Sequence, residues 1–229
     1  EPVFAPHPHA GFSAVTYLFD DSATGMLSRD SLGGEHLIVP GGLHWTLAGR
    51  GVMHDEVPAE AGREAHGLQI FLNLPADQKL RAPAVMRLAP EQMPRREGQG
   101  WRAVQVFGPE VGLALPSPAS LVLVDVDAGS TFDLVLPEGE QGFAIVIQGS
   151  GHADELPLSN GHALSLPVAG GTRVVADESL RLACFCGRPL HEPVVRHGPF
   201  VMSDEGQVVA ALQRFQSGGM GRLSPRQQP

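Results

Sequence analysis

The chain has 229 residues, of which 42% are hydrophobic, and it carries a formal net charge of −9. This length and apolar content are sufficient for one large or two small domains with well-packed cores. The negative charge, without any stripe rich in lysine or arginine, argues against direct binding to nucleic acid. No apolar run reaches the length of a membrane span and no signal-peptide pattern opens the chain, so we expect a protein that acts in solution.

The first feature in chain order is a pair of histidines, His7 and His9, and a second pair with the same spacing follows at His54 and Glu56. Either pair alone is more typical of a solvated loop. Residues two apart in a strand point to the same face, however, and a turn at residues 40–42 would let one antiparallel sheet bring the pairs together. Three imidazoles and one carboxylate suit iron, copper, nickel, manganese or zinc, and they leave coordination positions for water or substrate. The sequence therefore predicts a metal site formed by His7, His9, His54 and Glu56.

Short alternating or apolar segments recur along the chain, and 28 glycines and 20 prolines punctuate them. This pattern is typical of an all-β protein made of sandwiches or barrels. One segment, Asp204 to Gln216, has helical periodicity and a capping box formed by Asp204 and Gln207. The predicted strands are Phe12 to Phe19, Leu43 to Leu47, Val52 to Val57, His66 to Leu74, Trp101 to Phe107, Leu121 to Asp127, Thr131 to Leu136, Phe143 to Gln148, Thr172 to Ala176 and Leu180 to Phe185.

A weak internal repeat indicates two similar β-domains in tandem. Residues 6–12 align with residues 137–143, and the turn near residue 40 has a counterpart near residue 167. In this alignment Glu138 and Glu140 take the place of the two histidines. We therefore expect the second domain to hold no transition metal.

The domain boundary is predicted in the segment from Pro75 to Arg102, which is rich in Pro, Arg, Glu and Gln and resembles a linker. We expect an N-terminal metal-binding domain with the linker at residues 1–100. The second domain, including the C-terminal helix, is expected at residues 101–229.

The two cysteines, Cys184 and Cys186, lie two apart in an apolar strand-like run. Residues at this spacing on one strand are too distant for an unstrained disulfide. We therefore expect reduced core residues and a cytoplasmic protein.

Several separate motifs resemble those of the pirin family, whose members are bicupins. These motifs are Pro6-His7-Pro8-His9-Ala10-Gly11-Phe12, Arg29-Asp30-Ser31-Leu32-Gly33, Ala48-Gly49-Arg50-Gly51-Val52-Met53-His54-Asp55-Glu56, His66-Gly67-Leu68-Gln69, Asn73-Leu74-Pro75, Glu192-Pro193-Val194-Val195-Arg196-His197-Gly198-Pro199-Phe200-Val201-Met202 and Gln216-Ser217-Gly218. They occur in the right order over nearly the whole chain, which makes the resemblance specific.

The resemblance implies two tandem cupin barrels of the double-stranded β-helix, or jelly-roll, type with a C-terminal helix. It also implies an iron-type metal in the first barrel, with Fe(II) as the expected ion, held by residues matching His7, His9, His54 and Glu56. Known members include quercetin 2,3-dioxygenases, which open a flavonol ring with molecular oxygen, and a eukaryotic nuclear transcription cofactor that binds proteins. Family membership therefore leaves the function open.

Two departures from the family pattern bear on function. Members usually carry a glutamate near the metal cavity at the position of Ser13, so a catalytic base of relatives is expected to be missing here. Members also have strands before the histidine pair, so we expect that the given chain lacks its first part.

Other residues are weaker candidates for the site. We expect Glu56 to accept the substrate hydroxyl proton, and either Gln69 or His66 to hydrogen-bond a metal ligand. An aromatic pocket is expected to be lined by Phe12, Trp45, Met53 and Phe71, although core packing is the commoner role of such residues. The remaining histidines are expected to be surface or structural residues, namely His36, His44, His152, His162, His191 and His197.

Three functions remain in competition. A dioxygenase acting on quercetin or a related flavonol is favoured by the open nitrogen and oxygen site. A metal-containing, redox-responsive regulator that binds a protein partner is favoured by Ser13. A purely structural bicupin ranks third.

Overall fold

The computed structural model describes residues 4–224 and residue 226. Within this part of the chain there are twenty strands and one α-helix, so the all-β prediction with a C-terminal helix is confirmed. The described part contains no helix long and apolar enough to cross a membrane. Contacts divide the chain into two units, residues 1–90 with 191–229 and residues 91–190.

The first unit contains two four-stranded sheets, with strand orders β1-β6-β3-β4 and β7-β2-β5-β8, and a small hairpin of β19 and β20. The helix α1 also belongs to this unit. The elements are β1 (Phe4–His9), β2 (Phe12–Leu18), β3 (Met26–Asp30), β4 (Glu35–Ile38), β5 (Leu43–Leu47), β6 (Val52–Pro58), β7 (Gly67–Asn73), β8 (Ala84–Leu88), β19 (Val195–His197), β20 (Phe200–Met202) and α1 (Glu205–Gln216).

The second unit contains a six-stranded sheet, β16-β13-β18-β11-β10-β9, and a four-stranded sheet, β12-β17-β14-β15. A buried apolar cluster that includes Val124, Leu134 and Val174 lies between these sheets. The strands are β9 (Arg95–Gly98), β10 (Trp101–Phe107), β11 (Ala119–Val126), β12 (Thr131–Val135), β13 (Gln141–Gln148), β14 (Ser150–Ala153), β15 (Leu156–Ser159), β16 (Ala163–Leu166), β17 (Gly171–Ala176) and β18 (Leu180–Gly187).

The two units repeat the same topology. The order β12-β17-β14-β15 in the second unit corresponds to β1-β6-β3-β4 in the first, and β18-β13-β16 corresponds to β7-β2-β5. This agreement confirms the two tandem cupin-type domains. The residue-level alignment is different, because Glu138 and Glu140 lie between β12 and β13 and not on the strand that corresponds to the histidine-bearing β1.

The C-terminal helix does not belong to the unit that the sequence predicted, a second domain at residues 101–229. It packs in the first unit, where Val208 and Ala211 join a buried cluster with Phe200, Met202 and Met53. Asp204 caps its start by accepting a hydrogen bond of 2.8 Å from the backbone N–H of Gln207. The chain thus returns to the first barrel after the second one is complete, a path that strand periodicity does not reveal.

The segment from Pro75 to Arg102, predicted to be a linker, contains the strands β8 and β9. The strand β8 pairs with β5 and completes a sheet of the first barrel. The strand β9 pairs with β10 in the second barrel. The polar composition of this segment reflects exposed strands at sheet edges, as in Arg95–Gly98, where every residue is exposed.

The single lysine of the chain, Lys79, is fully buried. Its Nζ donates hydrogen bonds to the carbonyl oxygens of Gly11 and Val201, each at 2.9 Å, and to Asn73 Oδ1 at 2.6 Å. Three acceptors match the three N–H donors of an ammonium group. Burial lowers the pKa of Lys79 to about 8. The lysine therefore joins the turn after β1, the end of β7 and the strand β20.

Candidate metal centre

The two antiparallel strands β1 and β6 carry the four predicted ligands. His7 of β1 lies directly opposite His54 of β6. Because side chains alternate along a strand, His9 shares the face of His7, and Glu56 shares the face of His54. The register thus directs all four side chains to one face of the sheet, as the spacing predicted.

The three imidazoles converge on one point. His7 Nε2 lies 2.9 Å from His9 Nε2 and 3.0 Å from His54 Nε2. Two nitrogen ligands that each lie about 2.1 Å from one ion and subtend a right angle are ~3.0 Å apart. Ligand atoms of the three residues all lie within 4.8 Å of one another, and among the described residues they form the one group of this kind. This spacing fits three neighbouring ligands of a transition metal.

The protonation of the imidazoles also fits metal binding. His7 Nδ1 lies 2.7 Å from the Ala5 carbonyl oxygen, so Nδ1–H donates to that oxygen and Nε2 faces the cluster. Burial, with a smaller effect of His7, lowers the pKa of His9 to about 3. Burial and the neighbouring histidines lower the pKa of His54 to about 2. Both rings are therefore neutral at pH 7, the state in which imidazole binds a metal.

Glu56 lies deeper in the same strand and is 1% exposed. It is not a member of the group of ligand atoms within 4.8 Å. Its Oε2 accepts hydrogen bonds from Thr16 Oγ1 at 2.8 Å and from Gln69 Nε2 at 3.2 Å. Burial raises its pKa, and these hydrogen bonds oppose that effect. The structure therefore brings three of the four predicted ligands together, and Glu56 as the fourth stays a prediction.

The residue between the second ligand pair anchors β6. Asp55 is 1% exposed and accepts hydrogen bonds from two arginines, Arg29 on the neighbouring strand and Arg226. Asp55 points to the opposite face of the sheet from His54 and Glu56. These ion pairs therefore stabilise β6 without occupying the metal-binding face.

Sequence reasoning missed His44, which it assigned to the surface or structural histidines. His44 is 1% exposed, and its Nε2 lies 3.2 Å from Ser28 Oγ. Ser28 lies directly opposite Glu56 in the sheet and also hydrogen-bonds its carboxylate. His44 is therefore linked through one hydroxyl to the proposed carboxylate ligand. The strand register would have revealed this link. His44 pairs with Thr16 across β2 and β5, and the Thr16 hydroxyl also contacts Glu56.

Two of the four predicted pocket residues lie beside the histidines. The ring centroids of Phe12 and Phe71 lie 4.9 Å and 5.7 Å from that of His9. Trp45 instead pairs with Val15, on the opposite face of the sheet from Thr16, and Met53 packs in the cluster beneath the C-terminal helix. Either Gln69 or His66 was expected to hydrogen-bond a metal ligand. Gln69 does so with the proposed ligand Glu56, whereas His66 Nδ1 lies 2.9 Å from Asp21 Oδ1.

Ser13 does not lie in the metal cavity, contrary to the expectation from the family pattern. The strand β2 pairs regularly with both neighbours, so Ser13 and Thr16, three residues apart, point to opposite faces. Thr16 faces Glu56, and Ser13 is therefore on the far side of the sheet, fully buried. The loss of a carboxylate at this position leaves the metal-binding face unchanged.

The second barrel has apolar side chains where the first has histidines. In its corresponding strands, β12 and β17, the apolar core positions are held by Phe132, Leu134, Val174 and Ala176. The described residues of this barrel contain no cluster of metal-ligating side chains. Burial raises the pKa values of its two cysteine thiols to about 12, so both are protonated at neutral pH.

Comparison with known sequences identifies the family. Residues 1–72 match the Pirin domain, and residues 121–221 match the Pirin C-terminal cupin domain. A Pseudomonas aeruginosa protein, provisionally named quercetin 2,3-dioxygenase, is 32% identical over 94% of this chain and 79% of its own length. The chain belongs to the pirin family.

Other pirin-family relatives agree with this assignment. Pirin-1 of Arabidopsis thaliana is 31% identical to this chain, over 95% of the chain and 78% of its own length. Among solved structures, a quercetin 2,3-dioxygenase from Acinetobacter baumannii superposes with a TM-score of 0.87 and 26% identity. This similarity covers 96% of this chain and 79% of the Acinetobacter protein. The fold and the family predicted from the sequence motifs are therefore confirmed.

Proposed function

We propose that this pirin is a metal-dependent dioxygenase that opens the ring of quercetin or a related flavonol with molecular oxygen. The observation that carries the proposal is the convergence of three imidazoles on one point beside an aromatic wall. Relatives named as quercetin 2,3-dioxygenases support the same substrate class.

His7, His9, His54 and Glu56 would hold one divalent ion, for which we propose Fe(II), although Cu, Ni, Mn and Zn suit the same donors. When bound, the ion supplies Lewis acidity toward the flavonol oxygens and a site at which oxygen reacts. Four protein ligands on an octahedral ion leave room for substrate.

The surrounding residues would bind and orient the flavonol. Phe71 is 56% exposed and contacts both Phe12 and His9, so it offers an accessible aromatic face to an entering ring. We propose Glu56 as the acceptor of the flavonol hydroxyl proton, since it is the carboxylate on the metal-binding face. Thr16, Gln69 and Ser28 would hold that carboxylate in position through their hydrogen bonds.

The alternative is a metal-containing, redox-responsive regulator that binds a protein partner without turnover. Its main support was Ser13, and that support is weaker because Ser13 faces away from the proposed metal ligands. We propose a cytoplasmic location, which the two free thiols support. We propose no direct role for nucleic acid or membrane, in keeping with the net charge of −9.

The proposal is tested by following flavonol absorbance with the protein stripped of metal and reloaded with Fe(II). We expect loss of quercetin under air and none under nitrogen. His9→Ala should abolish turnover, whereas His197→Ala, an exposed histidine outside the cluster, should retain it. Equal rates in the two gases, or no turnover of any flavonol by the fully metal-loaded protein, would favour the regulatory alternative.

A further inference from the structure

The second barrel contains a cavity of about 240 Å³ that lies apart from the histidine cluster. Its walls come from both sheets, because β10, β11 and β18 contribute on one side and β12 on the other. The deepest lining residues include Val124 and Leu134, which belong to the buried core of this barrel. The cavity therefore occupies the interior of the barrel that has lost its metal ligands.

The size of this cavity restricts the occupant. An apolar cavity of about 150 Å³ accommodates benzene, and pockets for drug-sized ligands measure ~300–1,000 Å³. A volume of about 240 Å³ falls between these limits and suits a molecule with one ring or two fused rings. Most of its lining residues are aliphatic or aromatic.

The wall favours a flat aromatic molecule. Trp101 and Phe132 both line the cavity, and their rings meet edge to face with centroids 5.0 Å apart. Cys184 adds a sulfur atom, which makes favourable contacts with an aromatic ligand. Gln105 provides a polar group at the wall and donates a hydrogen bond of 3.2 Å to Ser120 Oγ.

The charges at the cavity are balanced, which argues for an uncharged ligand. The two carboxylates of the lining are Glu110 and Asp133. Glu110 pairs with Arg96, and Asp133 pairs with Arg173 at 2.8 Å. Neither carboxylate of the lining is therefore left as an unpaired countercharge for an entering cation.

We propose that the second barrel is a separate binding site for an uncharged aromatic molecule of one or two fused rings, such as a phenol or an indole. Binding at this site requires neither the metal nor the histidines of the first barrel. The second domain is thus a ligand-binding module.

The probe for this site is 5-fluoroindole, observed by fluorine NMR with the intact protein. We expect its signal to broaden on addition of the wild-type protein, with or without a chelator. Ala103→Leu adds side-chain volume at the lining and should weaken binding at least about tenfold. The matched control, Ala163→Leu, makes the same change at an exposed position outside the lining and should bind as the wild type does.

A second measurement does not depend on the variants. In amide spectra of the wild-type protein, 5-fluoroindole should shift the signals of residues such as Val124, Leu134 and Cys184. Shifts confined to residues around His9 and Phe71 would overturn the proposal and place the probe at the metal centre. Absence of binding up to the solubility limit of the probe would also overturn it, as would equal affinity of wild type and Ala103→Leu. Because turnover is not read in either experiment, failure here is distinguishable from failure of the proposed dioxygenase activity.

Discussion

The hydrogen bond from Thr16 to Glu56 gives a sharp test of the proposed fourth ligand. Thr16→Val keeps the shape of the side chain and removes the hydroxyl that donates to Glu56 Oε2 at 2.8 Å. A hydrogen bond to a charged group contributes about 1.5–3 kcal/mol. Because Gln69 still donates to the same oxygen, we expect a loss of about 1.5–2 kcal/mol in metal binding. This corresponds to roughly 10- to 30-fold weaker affinity.

The chain offers a matched control for this substitution. Thr46 lies on the same face of the same sheet and is 1% exposed, but its Oγ1 has no hydrogen-bond partner among the described residues. Thr46→Val should therefore leave metal affinity unchanged. Affinity is measured by competition with a chromophoric chelator, and thermal unfolding of the metal-free variants shows that both fold. Equal affinity of Thr16→Val and Thr46→Val would refute the role of Glu56 as a ligand held by Thr16.

Further predictions concern the metal, the buried lysine and the thiols. His54→Ala should lower bound metal from one ion per chain to a substoichiometric amount in elemental analysis, because one of three converging imidazoles is lost. Lys79→Met should lower the free energy of unfolding in urea by about 3 kcal/mol, since three buried acceptors lose their donor, whereas the exposed Arg81→Met should change it little. At pH 8, alkylation of Cys184 and Cys186 should be at least ~10²-fold slower than in the urea-unfolded chain, because a pKa of about 12 leaves little thiolate; mass spectrometry measures both rates.

The sequence predicted the grouping of three histidines better than it predicted the division of the chain into units. Two same-face ligand pairs were sufficient to bring His7, His9 and His54 together, because strand alternation is a local property. Helix α1 was predicted correctly as a helix, yet its packing on the first unit depends on a long-range return of the chain that local periodicity does not encode. The strand β9, Arg95–Gly98, was hidden by the polar composition of an exposed edge segment.

The errors within the site have one physical cause. Register decides which face a residue occupies, and register depends on pairings between distant segments. Ser13 was expected near the metal and faces away. His44 is the structural residue that was expected, but its link to Glu56 through Ser28 was not predicted. Both outcomes follow from the pairing of β2 with β5, which the sequence alone does not specify.

The central claim, that this pirin opens a flavonol ring with molecular oxygen, is tested most directly by isotope labelling. The Fe(II)-loaded protein is incubated with quercetin under ¹⁸O₂, and the products are analysed by mass spectrometry, with His9→Ala as the control. The account predicts a ring-opened product that contains two labelled oxygen atoms and is absent from the control. Unchanged quercetin, or a product whose new oxygen comes from water, would contradict it.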